Sequence, residues 1–317
     1  MITIEVVAAP SNEDAILRIA KQSDAIDSWI SSQSEKQVAI KILVEKSKSQ
    51  KVIDQLQVLM KGKTNFRVIA YPLEVALPYD KKQETSSSTV TREALLSQLK
   101  GQGKLDGHYL MLVFLSTIVA AIGLIENNVA VIIGAMVIAP LLGPNLALSL
   151  STTLGQVNGI FSALKTLAAG IALALGVSFL LGMFYPNLEL TPELLSRTYV
   201  GIDSLVLALA SGAAAALSIT TGVSSVLVGV MVAVALLPPT VALGICLGLE
   251  SYKEATGAAL LLVANIASVN LTAQLTMRFK GIKPREDEKQ KTALIVFICG
   301  ILFWCALISF LIHRLYK

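Results

Sequence analysis

The segment VIIGAMVIAPLLGPNLALSLSTTLG, residues 131–155, is apolar enough to enter a bilayer, yet it carries Pro140, Gly143 and Pro144 near its centre. A proline inside a helix lacks the backbone donor and its ring collides with the preceding turn, so two prolines this close should break the helix. In hydrocarbon an unpaired amide or carbonyl costs on the order of several kcal/mol. A break at membrane depth therefore persists only where protein or a water-filled cavity satisfies the freed groups.

A second stretch matches the first. GAMVIAPLLGPNLAL, from Gly134, aligns with GVMVAVALLPPTVAL, from Gly229, at a constant offset of 95 residues. Gly134 matches Gly229, Met136 matches Met231, Val137 matches Val232 and Pro144 matches Pro239. Leucines recur by chance in apolar helices; a proline aligned within a Gly-x-Met-Val context carries more weight. The pattern predicts an internally duplicated membrane domain, with repeats at 108–184 and 203–277, each of three apolar segments with the proline-bearing one in the middle. Twin helix breaks, at Pro140, Gly143 and Pro144 and at Pro238 and Pro239, should surround one polar cavity. Three spans per repeat invert the second copy, whereas re-entrant hairpins would leave the copies parallel. The two arrangements differ over 185–202, where Glu189 and Glu193 outnumber Arg197; this acidic balance favours an outside position and inversion.

The rest of the composition agrees with a bilayer. The chain is 54% hydrophobic and 15% charged, with a mean hydropathy of +0.68, beyond the range of an ordinary soluble domain. Apolar stretches of about 20 residues, enough to span, lie near 108–125, 128–154, 160–184, 203–219, 223–249, 256–277 and 293–314, which predicts seven spans. Arg278, Lys280, Lys283, Arg285, Lys289 and Lys291 fill the loop 278–292 before the last span and tail, 293–317. The positive-inside rule places that loop in the cytoplasm together with the amino-terminal domain, in an inner (plasma) membrane; the tail HRLYK then falls outside, in mild conflict. Residues 1–30 hold Glu5, Glu13, Asp14 and Asp24 and no long apolar core, so no cleavable signal peptide is expected. The net charge of +4 implies no nucleic-acid partner, and Cys246, Cys299 and Cys305 lack metal-ligand spacing.

Residues 1–80 read as soluble. MITIEVVA is a strand, and Ser11 with Asp14 opens a helix. AIDSWIS and QVAIKILVE flank the polar turn SQSEK as two strands, and Val52, Leu56 and Leu59 lie at helical spacing before Gly62. FRVIAYPLEVAL closes the domain as a strand that Pro72 assigns to an edge or bulge. The order βαββαβ is the ferredoxin-like pattern, and such a domain is expected to cap, to bind a small ligand or to assemble copies into a homo-oligomer. Residues 81–107 form a linker, KKQETSSST, and a juxtamembrane helix, VTREALLSQLKGQGK, either amphipathic on the inner surface or simply connecting.

Polar residues inside the apolar segments are the candidate pathway. Asn145 and Thr240 follow the aligned prolines at equivalent positions. In LLLVANIASVNLTAQLTM, Asn265, Ser268 and Thr272 share one helical face and Asn270 and Gln274 another. Hydrogen bonding between helices explains one such face; two faces suggest a lined path. The hydroxyls of SLSTTLG and SITTGVSS are expected to bond back to helix carbonyls. Glu126 lies at a segment end beside Asn127 and Asn128 and reads as interfacial; His108 and His313 form neither a triad nor a metal site.

ENNVAVII followed by GAMVIAPLLGP, the LLPP copy and NIASVNL, with TREALLSQL before the first span, resembles the uncharacterised hydrophobic-domain membrane proteins of bacteria and archaea, the family of domain of unknown function 389. The resemblance covers roughly residues 90–277 and implies membrane location and prokaryotic origin; it carries over no active-site residues.

The residues thus point to an α-helical polytopic membrane protein with an amino-terminal α+β domain. The expected function is a transporter or channel for a small solute or ion, its site built from Asn145, Thr240, Asn265, Ser268 and Asn270 and shaped by the prolines. With no buried acid or base, a neutral solute, or a cation held by carbonyl oxygens, suits the site better than proton exchange. The competing expectation is a non-transporting sensor or scaffold whose soluble domain binds a small ligand. An enzyme is not expected, and no cofactor is indicated.

Overall fold

The structure, a computed structural model, describes residues 1–45, 48–61, 65–73, 92–185, 188–221, 225–283 and 287–315. The linker 81–89, Ser224, Arg285, Tyr316 and Lys317 lie outside the described residues. The chain forms two compact units, Met1–Arg92 and Glu93–Lys317, each described on its own.

In the first unit β1 (Ile2–Ala8), α1 (Glu13–Gln22), β2 (Asp27–Gln33), β3 (Val38–Val44), α2 (Ser49–Met60) and β4 (Arg67–Pro72) follow in the expected order. The strands form one antiparallel sheet, β2-β3-β1-β4. Period-two alternation turns Ile2, Ile4, Val6 and Ala8 of β1 and Val38, Ile40, Ile42 and Val44 of β3 into one core. Ile16 and Ala20 of α1 and Val52 and Leu56 of α2 close over it. β2 is an exposed edge with a register shift between Ile30 and Ser32, and Pro72 ends the other edge strand, where a missing donor does least harm.

The second unit is helical: α3 (Arg92–Gln102), α4 (Gly107–Ile125), α5 (Val129–Ile138), α6 (Leu142–Thr153), α7 (Val157–Phe184), the short α8 (Pro192–Ser196), α9 (Ile202–Thr221), α10 (Ser225–Gly248), α11 (Tyr252–Phe279) and α12 (Asp287–Leu315). Among the described residues α4, α7, α9, α11 and the Ala293–Leu311 part of α12 are long and apolar enough to cross a membrane, and α5 with α6, bent by 54°, adds a sixth candidate. By length and composition this is a multi-pass membrane protein. Seven segments were expected; on the remaining one, 223–249, lies α10, of which Ala235–Gly248 counts as a shorter apolar helix.

Helix boundaries recur at the offset found in the sequence. α7 and α11 are both 28 residues long and begin 95 residues apart, as α4 and α9 begin. The turns before α7 and α11 match as well: Gly155 (φ 65°) and Glu250 (φ 57°) both lie in the left-handed region. The following amides donate back in the same way, Gln156 N to Ser151 O at 2.8 Å and Ser251 N to Cys246 O at 2.9 Å. Packing exchanges in step, α7 against α10 and α6 against α11.

The expected twin breaks are one break. α5 ends at Ile138, Ala139 is extended (φ −66°, ψ 119°), and α6 starts at Leu142. Extension before Pro140 follows from the clash of its ring with a helical neighbour. Pro144 is the third residue of α6, where a backbone donor has no helical acceptor in any case. α10, by contrast, runs unbroken through Pro238 and Pro239. Pro239 cannot donate to the carbonyl of Ala235, and Asn265 Nδ2 reaches over from α11 to do so at 2.8 Å. At the position of α7 matching Asn265 stands Gly170, which has no side chain to offer.

Candidate functional site

α11 supplies most of the buried polar side chains, and its two faces lead to two places. Asn270 looks toward α6, the helix that follows the break. Its Nδ2 donates to Asn145 Oδ1 and to Ile266 O (2.9 Å), and its Oδ1 accepts from Ser149 Oγ at 2.8 Å. All three side chains are fully buried. One turn further along α11, Gln274 is also fully buried, and a Cβ placed on Gly300 of α12 would lie 3.3 Å from its Oε1. Asn145 Nδ2 and both polar ends of Gln274 have no hydrogen-bond partner. The α6–α11 contact therefore holds a row of uncharged amides with donors and acceptors to spare.

The other face turns to α9 and α10. Asn265 Nδ2 is held by Ala235 O, so its Oδ1, buried and without a partner, is fixed as an acceptor. Asn265 is one of the residues lining a cavity of about 50 Å³ that reaches Pro239 and Ala235 of α10 and Ser204, Ser211 and Leu261 of the flanking helices. Arg197, in the turn after α8, lines the same cavity. Its NH2 pairs with Glu193 Oε2 at 3.2 Å, while Nε is buried without a partner. Ser268 is fully buried and its Oγ lacks a partner; Thr272 Oγ1 donates to Ser268 O at 3.0 Å. Thr240 Oγ1 donates to Leu236 O of its own helix at 2.7 Å.

Of the five sequence-predicted residues the structure joins Asn145 to Asn270, sets Asn265 beside Pro239 at the cavity, and buries Ser268 and Thr240 in the helical core. Arg197 and Ser204 belong with them and were not singled out from the sequence, because Arg197 sits in a polar connection and Ser204 at a helix start. The offset of 95 was the available signal: carried outward it pairs Ser204 with Tyr109 and Asn265 with Gly170. The hydroxyls read as back-bonding do so: Thr152 to Leu148 O, Thr153 to Ser149 O and Thr220 to Ala216 O.

Chemically the two places offer amide and hydroxyl groups and one ion-paired guanidinium. Among the described residues no three His, Cys, Asp or Glu side chains gather to hold a metal ion. Such groups bind and orient polar solutes through hydrogen bonds.

The model of the family described as "Domain of unknown function (DUF389)" matches residues 136–271, which contain the break, α10 and Asn265 and Asn270 of α11. The "Uncharacterized protein MJ0678" of Methanocaldococcus jannaschii is 33% identical over 270 residues, 84% of each chain. No solved structure matches.

Proposed function

Because the chain belongs to the DUF389 family and keeps unpaired amides in the core of its helical unit, we propose that it is a transporter or channel for a small uncharged polar solute in the plasma membrane. The observation that carries this is the row Asn145, Asn270 and Gln274, with three buried amide atoms lacking partners. Leaving such a group unpaired costs about 1–3 kcal/mol. A passing solute that pairs with these atoms in turn recovers that energy without being held too tightly to leave.

The finer architecture belongs to the same reading. Matching helix bounds and turns support an internal duplication of residues 108–184 and 203–277. A bend of 54° leaves α5 and α6 running in the same general direction, which supports a crossing and hence inversion of the second copy. The amino-terminal strand order supports a ferredoxin-like domain. The basic loop 278–292 supports its cytoplasmic side, and self-assembly through it is its proposed role.

The test is reswelling of proteoliposomes after osmotic shock with small uncharged solutes. The intact protein should speed reswelling at least about tenfold over empty vesicles, and Asn145→Leu and Asn270→Leu should return it to background. Unchanged flux in either folded variant rejects the amide row. No flux for any solute, beside calorimetric ligand binding to the full chain that needs residues 1–80, favours a sensor.

A further inference from the structure

We infer that the uncovered face of the amino-terminal sheet binds the same face of a second copy of this chain, about a two-fold axis that runs along the strands between β1 and β3. The inference rests on the proposed role of this unit in self-assembly, and it names the surface that carries it out.

Alternation along the strands defines the face. Ile2, Ile4, Val6 and Ala8 of β1 and Val38, Ile40, Ile42 and Val44 of β3 point into the core under α1 and α2, so the residues between them point the other way. The strand registers line those residues up in rows across the sheet. One row runs Trp29, Lys41, Glu5, Ile69 from β2 to β4, and a neighbouring row holds Ala39 and Val7 at its centre. Trp29 and Ile69, at the two ends of their row, are both 41% exposed. Between them Lys41 and Glu5 are half-buried. Glu5 accepts a hydrogen bond from Tyr71 Oη at 3.4 Å, and no ion pair joins Lys41 to another described residue.

The strand order β2-β3-β1-β4 puts the midline of the sheet between β3 and β1. Rotation by a half-turn about an axis along that midline, lying between two sheets set face to face, lays β3 on the partner's β1 and β2 on the partner's β4. Row then meets row. Trp29 lands on the partner's Ile69, Lys41 on the partner's Glu5 and Ala39 on the partner's Val7, and each pairing is made twice. An aromatic ring covers an aliphatic side chain, and opposite charges meet in the middle. Sheets pack this way about 10 Å apart, with strands within about 30° of each other. Pairing through the edges is the other way for sheets to join, and the register shift between Ile30 and Ser32 in β2 and Pro72 in β4 work against it. Strands six or seven residues long and about 4.8 Å apart make a face of roughly 400 Å², short of the about 800 Å² that each partner buries in a standard stable complex. A contact of that size suits copies already held in one bilayer, where confinement raises the effective concentration.

The experiment is cross-linking of the full-length protein in proteoliposomes, with Cys299→Ser and Cys305→Ser removing the two exposed thiols. Two differently tagged chains, one Trp29→Cys and one Ile69→Cys, are co-expressed and treated with a bismaleimide long enough to bridge the about 10 Å between packed sheets. The mixed pair should cross-link at least about tenfold more than either chain with itself, because like positions lie on opposite edges of the two-fold dimer. Adding Glu5→Lys to both chains should cut the yield at least about tenfold, and Glu5→Lys in one chain with Lys41→Glu in the other should restore it. Should Glu5→Lys fail to fold, the cysteine pairs decide alone. Photobleaching steps of the fluorescently tagged chain in the same vesicles give the oligomeric state separately. An oligomer without the mixed cross-link overturns this face and leaves self-assembly standing, whereas single chains overturn both. Equal cross-linking of mixed and like pairs overturns the two-fold. Shielding of both introduced cysteines from a water-soluble maleimide in single chains gives the face to the chain's own helices or to the lipid surface, and overturns the inference as well.

Discussion

Beside Pro239 an asparagine of α11 reaches the carbonyl that the proline leaves free, and α10 stays whole; in the first stretch Pro140 stands where the second has Ala235, and the chain opens between Ile138 and Leu142. The copies also differ in filling. On the proposed duplication Tyr109 holds the position of Ser204, which lines the cavity, and Gly170 gives the phenol its room. If the two stretches are copies of one unit, as proposed, the first is broken and filled by Tyr109 and the second is continuous with a cavity beside Ser204. The helix holds through Pro239 where the residue four before it, Ala235, is not a proline and a neighbour supplies the donor that Pro239 lacks.

The largest test of this contrast is Tyr109→Ala. If the ring is the plug of the first copy, truncation leaves a void of aromatic size and should lower stability by about 3–5 kcal/mol, read from reversible unfolding of the full chain in mixed micelles. A loss below about 1 kcal/mol would mean that the ring is not packed as the contrast requires.

Next in size is Asn265→Leu. The Ala235 carbonyl, already without its helical donor, then stays buried and unpaired, at a loss of about 1–3 kcal/mol. Pro239→Ala restores the backbone N–H that this carbonyl lacks, so the double variant Asn265→Leu with Pro239→Ala should recover most of that loss. Additive losses would show that Asn265 and Pro239 do not act on one carbonyl.

These residues also explain what could be read from the sequence. Strand alternation in Ile2–Ala8 and Val38–Val44 and the Gly-x-Met-Val repeat are local signals, and they led to the amino-terminal sheet and to the matching helix bounds. That Ala235 replaces Pro140 in the second stretch was legible; that Asn265, 30 positions on, serves the Ala235 carbonyl was not. The two polar faces of α11 followed from helical spacing, and Asn270 and Asn265 do turn to different neighbours. Which partners they meet depends on packing between repeats, as with Asn145, 125 positions from Asn270. Arg197 and Ser204 gain meaning only once Tyr109 is seen in the equivalent place.

The smallest test asks whether the plug in the first copy holds by shape or by its hydroxyl. Tyr109→Phe keeps the ring and removes the donor to Thr166 O. That carbonyl retains its helical bond inside α7, so it is not orphaned, and the loss should be one ordinary hydrogen bond, about 0.5–1.5 kcal/mol. A loss near that of Tyr109→Ala would make the hydroxyl, rather than the ring, the element that distinguishes the copies. A small loss assigns the contrast to volume, and makes bulk at position 204 the matching lever on the open side.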